Sequence, residues 1–213
     1  MLSFFKSQKN NPQNALKAAY YIREGLIHNI IDLNKLLVPE KVNGTLVANT
    51  KSEIKFKNFS LIGLTEKQII AQMKQPIFIH DNKDILEGHK ILFYKLDVDH
   101  YSFLVQFHFI DNLFFFVSNK VMSSGILSNK EKNKIVNQLE NKYLGKATLD
   151  HKTFLLNLTD KNGSMLNIID DVNFYVNYLC GCPTTNKLRQ RYYESVKPET
   201  KDLNFEDTID KLF

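Results

Sequence analysis

Residues 102–120 read SFLVQFHFIDNLFFFVSNK. From Phe103 onward, Phe103, Val105, Phe107 and Phe109 fall on one side of an extended chain, while Ser102, Gln106 and His108 fall on the other. Asp111 and Asn112 interrupt this run, and LFFFVSNK then returns. A period of two on either side of a two-residue Asp-Asn turn predicts antiparallel strands. The aromatic face is expected to be core, and the face carrying Gln106 and His108 is expected to be solvated. Upstream, ILFYKLDV (91–98) runs into Asp99-His100, which reads as the tip of a preceding hairpin.

A second group of the same kind follows. TFLLNLT, the turn DKNG, SMLNII, the break Asp170-Asp171 and VNFYVNYL together span residues 153–179. In the last of these, Val172, Phe174, Val176 and Tyr178 alternate with Asn173, Tyr175 and Asn177. Each group is preceded by a helical pattern. Thr65 is placed to cap TEKQIIAQMKQP (65–76), which Pro76 closes. Ser128 is placed to cap SNKEKNKIVNQLENKYL (128–144), where Ile135, Leu139 and Tyr143 recur four apart and Gly145 stops the helix.

Residues 13–37 place Leu16, Tyr20, Ile27, Ile30, Leu33 and Leu37 at helical steps, with Pro12 in the first turn and Pro39 at the end. Short strands are expected over KVNGTLVANTKSEIKFKNFSLIG (41–63), where Asn43-Gly44 reads as a hairpin-type turn and EIKFKNF (53–59) alternates, and a polar surface loop is expected over residues 77–90. Past Cys182-Pro183, TTNKLRQRYYESV reads as a short charged helix, KPETKD as a linker, and LNFEDTIDKLF as an amphipathic end. The fold class predicted is α+β, with antiparallel β-meanders each preceded by a helix and packed with an N-terminal helix. Its parts are an N-terminal helix with short strands (1–60), an α+β core (61–182, with helix–meander units at 61–120 and 128–180) and a C-terminal tail (183–213).

Composition narrows the classes of function. No run of 18 apolar residues occurs, so no membrane-spanning helix is expected. Before Lys6 the N-terminus has only four apolar residues, Met1, Leu2, Phe4 and Phe5, interrupted by Ser3, too few for a secretory leader. The chain therefore reads as cytoplasmic, or as periplasmic where a leader has been removed. Net charge is +5, yet only Arg23, Arg189 and Arg191 among 28 cations are arginine. Readers of phosphates and base edges lean on arginine's fixed fork, so this lysine-borne charge argues against nucleic acid as the partner. Asparagine occurs 22 times, so a single asparagine carries little weight as a site candidate.

Residues 63–76, GLTEKQIIAQMKQP, with ILFYK and the hairpin after it, resemble the helix-plus-meander unit of the BamE-type (SmpA/OmlA) outer-membrane assembly lipoproteins over residues 63–118. Gly63, Thr65, Ile69, Met73 and Pro76 stand at matching spacing, whereas Lys74 occupies the place of the family's glycine. The lipobox cysteine of that family is missing from this chain. The resemblance implies a non-enzymatic scaffold that contacts other proteins, and it transfers no functional residue.

Chemistry-bearing residues are few. Cys180-Gly181-Cys182 could clasp a metal or form a reducible disulfide, but no second cysteine pair completes a zinc set. A redox role for the pair requires both thiols exposed beside cations. His80, Asp81, Asp84, Glu87 and His89 gather five ionisable groups, a candidate metal or acid–base cluster with His80 and His89 as its candidate ligands. No phosphate loop, nucleophile elbow or zinc-protease helix is present, and no cofactor is implied. The expected function is a non-catalytic protein-binding module of the adaptor, immunity, chaperone or assembly-factor type, with another protein as partner. The alternatives are a hydrolase with a non-local site at His80/His89 or the cysteines, and a metal- or redox-responsive protein centred on Cys180 and Cys182. A binder should expose an apolar patch or a free strand edge, and the candidate contacts are Tyr175, Leu179, Phe205, Ile209 and Leu212.

Overall fold

The computed structural model describes residues 12–37, 44–83, 86–146 and 153–195. Its centre is one eight-stranded sheet in the order β1 (Leu46–Thr50), β8 (Leu156–Asp160), β9 (Met165–Asp170), β10 (Phe174–Leu179), β7 (Leu113–Met122), β6 (Tyr101–Ile110), β5 (His89–Val98), β4 (Phe78–Asp81). All neighbours are antiparallel except β1 and β8, which run parallel. The α+β class therefore holds, and the two strand groups read from the sequence share this sheet, joined where β10 pairs with β7.

The predicted turns have the backbone that their residues favour. Asp111 and Asn112 both take left-handed φ (51° and 63°), the conformation a two-residue hairpin of matching twist demands. One irregularity explains how three successive phenylalanines are all buried. The β6–β7 register slips after His108, pairing Phe109 with Phe114 and leaving Phe115 as a bulged extra residue. Phe114 then packs on one face of the sheet, and Phe115 and Phe116 on the other.

The sheet is covered on both sides. Its aromatic face (Val105, Phe107, Phe109, Val117, Tyr178) packs against α3 (Glu66–Met73), α4 (Asn129–Leu144) and the hairpin β2 (Lys55–Phe56)–β3 (Phe59–Ser60). Both helices start with a reciprocal capping box, Thr65 with Gln68 and Ser128 with Glu131, and Gly145 ends α4 at a left-handed φ of 70°. The opposite face packs against α1 (Pro12–Glu24) through Tyr21, α2 (Ile30–Leu37) through Leu33, Leu36 and Leu37, and α5 (Pro183–Ser195) through Leu188. Among the described residues no helix is long and apolar enough to cross a membrane.

The short strands expected around EIKFKNF are present, paired as a hairpin whose turn holds Lys57 at φ 54°. Three expectations need correction. Residues 13–37 form two helices rather than one, because the chain breaks at Gly25 and restarts where the Asn29 side chain accepts from Asp32 N–H (3.0 Å). Residues 77–90 are not all surface loop: they include the edge strand β4 and the start of β5, and His89 is fully buried. The Gln106/His108 face is not solvated either, since both side chains are fully buried beneath the segment joining α1 to α2.

Lys74 ends α3 at φ 65°, ψ −163°, a region that side-chain-bearing residues avoid. Lys74→Gly should relieve this strain and raise stability by about 1 kcal/mol, read as a rise in melting temperature of about 2–4 °C.

Candidate functional site

Polar side chains fasten the Glu24–Ile27 segment across the sheet. Gln106 Nε2 donates to Glu24 O (2.7 Å), and Leu26 N–H donates to Gln106 Oε1 (3.3 Å). Asn82 Nδ2 donates to Ile27 O (3.0 Å) from the other side. Beneath this strap lies a chain of rings. His80 Nε2 is 3.2 Å from Asn82 Oδ1, Asn82 Nδ2 is 3.0 Å from His89 Nδ1, and His89 Nε2 is 3.1 Å from His108 Nδ1.

The Asn82 amide sets every role in that chain. Its NH2 group can only donate, so His89 Nδ1 accepts and His89 Nε2–H donates to His108 Nδ1. His108 Nε2–H is then the terminal donor, buried without a partner among the described residues. The geometry needs both rings neutral, and burial enforces it. His89 is pushed down to about 4, by burial first and by His80 second, and His108 is held well below the usual histidine range by burial and by His89. His89 is thus sealed and stacked on His108 at 5.3 Å, out of reach of a substrate or a metal at the surface. His80 is half-buried on the edge strand β4. Among the described residues no three His, Cys, Asp or Glu side chains converge as a metal site would require. Asp84 lies outside them.

Cys180 and Cys182 are both buried, free thiols. Cys180 Sγ donates to Leu61 O (3.4 Å), and Cys182 Sγ lies 3.6 Å from Phe114 O and 3.3 Å from Thr185 Oγ1 at the start of α5. Cys180 is pushed up by its hydrogen bond to Cys182 and by burial, and that same hydrogen bond pulls Cys182 down. Between them, Gly181 lies so close to the β8–β9 turn that a Cβ there would meet Asn162 O. The stretch is packed shut, which removes the exposure that the redox role required.

Of the candidate contact residues, Leu179 is buried against α2 and Phe116, because its strand position points under the helices. It is not available to a partner. Tyr175 is half-buried and pairs with Lys120 across the strands. It lines a cleft of about 250 Å³ with Arg23, Glu24, His28, Asp32 and Lys120, where Lys120 and Glu24 form a largely covered ion pair of 2.7 Å. Burial raises the Tyr175 phenol above its ordinary range. Phe205, Ile209 and Leu212 lie outside the described residues.

The two ends of the sheet differ. β4 is four residues long, and Tyr21 of α1 stacks on its Phe78 (5.3 Å, 19°). β1, LVANT, ends the other side with neither charge nor proline. Leu46 N–H bonds Leu155 O (3.1 Å), so the alternation of a parallel ladder turns the N–H and C=O groups of Val47 and Asn49 away from β8. No described strand pairs with them. Val47 is 59% exposed and Leu46 37%. The sequence pattern around residues 46–50 predicts a strand there, but nothing local says which strand ends the sheet.

No family model matches the sequence, and no curated protein and no solved structure matches it either.

Proposed function

We propose that this chain is a non-catalytic protein-binding module that takes up an extended segment of its partner along the free edge of β1. The observation that carries this reading is that edge: five residues without a charge, a proline or a bulge, with two apolar side chains exposed. Sheets that end in solvent are ordinarily blunted by such devices, and an edge without them is a template for a further strand. The main chain supplies the affinity, and Val47 and Asn49, which share one face, supply selectivity for alternate side chains of the guest.

Val47→Pro tests the reading, because it deletes an outward N–H while leaving the ladder to β8 intact. Native mass spectrometry of the protein recovered gently from its own cells should show a stoichiometric second polypeptide. Val47→Pro should lose that polypeptide, at least about tenfold in affinity, with little change in melting temperature. Recovery of the wild type alone, or an equally tight complex with Val47→Pro, overturns the proposal.

A further inference from the structure

The outer side of α4 carries charge of one sign. Lys130, Lys134, Gln138, Asn141 and Lys142 are exposed, while Val136, Glu140 and Tyr143 are buried beneath them. Lys146, also exposed, continues the row past Gly145. Both acids of the helix are taken out of this surface. Glu140 is buried, and Glu131 is occupied by the Ser128 cap and lies 3.5 Å from His100. An acid four residues from a lysine supports a surface helix, and a second lysine at that spacing opposes it. Here Lys134 follows Lys130 at that spacing, and none of the four exposed lysines has an ion-pair partner among the described residues. Lys130 and Lys142 are about 18 Å apart along a straight helix, so the row is long and flat rather than a pocket.

The loop leading into α4 projects an apolar side chain. Ile126 is 95% exposed and follows Gly125, where even an added Cβ would meet nothing within 4 Å. This loop stands clear of the rest of the chain, shaped by Ser123 Oγ donating to Gly125 O (3.0 Å). A single exposed isoleucine is ordinary by itself. One that protrudes at the end of an acid-free row of lysines supplies the second of the two signals that stable attachment to a bilayer needs. The neighbouring β9–β10 turn is excluded from that contact. Lys132 engages its Asp170 at 2.6 Å, but Asp171 is exposed there beside Val172 and is repelled by an anionic surface.

We propose that the outer side of α4 docks on an anionic lipid bilayer, with Lys130, Lys134, Lys142 and Lys146 against the headgroups and Ile126 inserted at the acyl boundary. Lysine suits a fluid array of headgroups, which asks for point charge and not for the fixed fork of arginine. The one aromatic residue of α4, Tyr143, is buried, so the helix offers no platform on which a nucleic-acid base could stack. α4 shares no residue with β1, and the inference does not depend on the edge-binding reading.

The full chain is sedimented with sucrose-loaded vesicles of phosphatidylcholine, alone or with about 30% phosphatidylserine. It should sediment only with the vesicles that contain phosphatidylserine, and raising the salt from about 0.1 to about 0.5 M should release it. Each lysine at such a surface is worth about fivefold in partitioning, so Lys130→Gln/Lys134→Gln/Lys142→Gln should weaken binding about 100-fold at an unchanged melting temperature. Ile126→Ser should weaken it about tenfold. Lys17→Gln/Lys35→Gln/Lys67→Gln removes the same charge from α1, α2 and α3 and should bind within about twofold of the wild type. The proposal is overturned if neither vesicle binds, if the control triple loses as much as the α4 triple, or if Ile126→Ser binds as well as the wild type. Tighter binding of a mixed-sequence duplex RNA than of the vesicles, lost in the α4 triple, would also overturn it and assign the row to nucleic acid.

Discussion

Phe107→Ala is expected to destabilise the protein by about 3–5 kcal/mol, measured by urea or thermal unfolding. Phe107 is fully buried at the centre of the sheet's aromatic face, where four rings surround it. Phe56 lies at 5.3 Å, Tyr94 at 5.7 Å, Phe114 at 6.4 Å and Phe59 at 6.5 Å. Two of these rings belong to the β2–β3 hairpin, one to β5 and one to β7. Removing the ring therefore loses its transfer free energy and leaves a cavity that three separate elements would have to move to fill. The paired strands fix β5 and β7 at their usual spacing, so the site cannot collapse cheaply. The Tyr94 hydroxyl, which donates to Lys74 O (3.1 Å), further pins its own ring in place. An unchanged melting temperature would mean that this face is not the packed core.

The alternation around Phe107 is what made this part of the fold legible. A period of two states which side chains share a face, and Phe103, Val105, Phe107 and Phe109 do share one. It does not state whether the other face is covered. Gln106 and His108 read as solvated because they are polar, yet each is buried by a polar bond that a sequence cannot display: Gln106 to the backbone of Glu24 and Leu26, His108 to His89. The break between α1 and α2 did leave a local trace. Asn29-Ile30-Ile31-Asp32 is an N-cap pattern inside a longer apolar stripe, and the stripe overrode it. Asn82, which joins the strap to both histidines, left no trace, because its neighbours in space are 55 and 7 residues away.

Lowering the pH from 7.5 to 5 is expected to destabilise the fold sharply, and the buried histidine pair is the reason. In the unfolded chain each ring titrates near its ordinary value of about 6.5. In the fold, burial holds His89 at about 4 and His108 lower still. These are depressed values, so the stability they confer is complete above about 6.5 and is lost as the pH falls through that value toward about 4. Over this window the unfolded state takes up protons that the folded state refuses. For His89 alone the difference amounts to about 2 kcal/mol by pH 5, and His108 adds a further loss of the same sign. No rearrangement within the described structure offers His108 relief. Its Nε2 already lacks a partner, and its Nδ1 is committed to accepting from His89. A proton on Nδ1 would set two donors against each other at 3.1 Å, and one on His89 Nδ1 would do the same against Asn82 Nδ2 at 3.0 Å. Either event opposes the bond from Asn82 that holds Ile27 O, so loosening should begin at the strap, before the sheet. Amide exchange across pH 7.5 to 5 should accordingly rise first over residues 24–28. Unfolding free energies for the double variant His89→Leu/His108→Leu should vary much less across that window. A double variant as acid-sensitive as the wild type would place the titrating groups elsewhere and leave the histidine pair with a packing role alone.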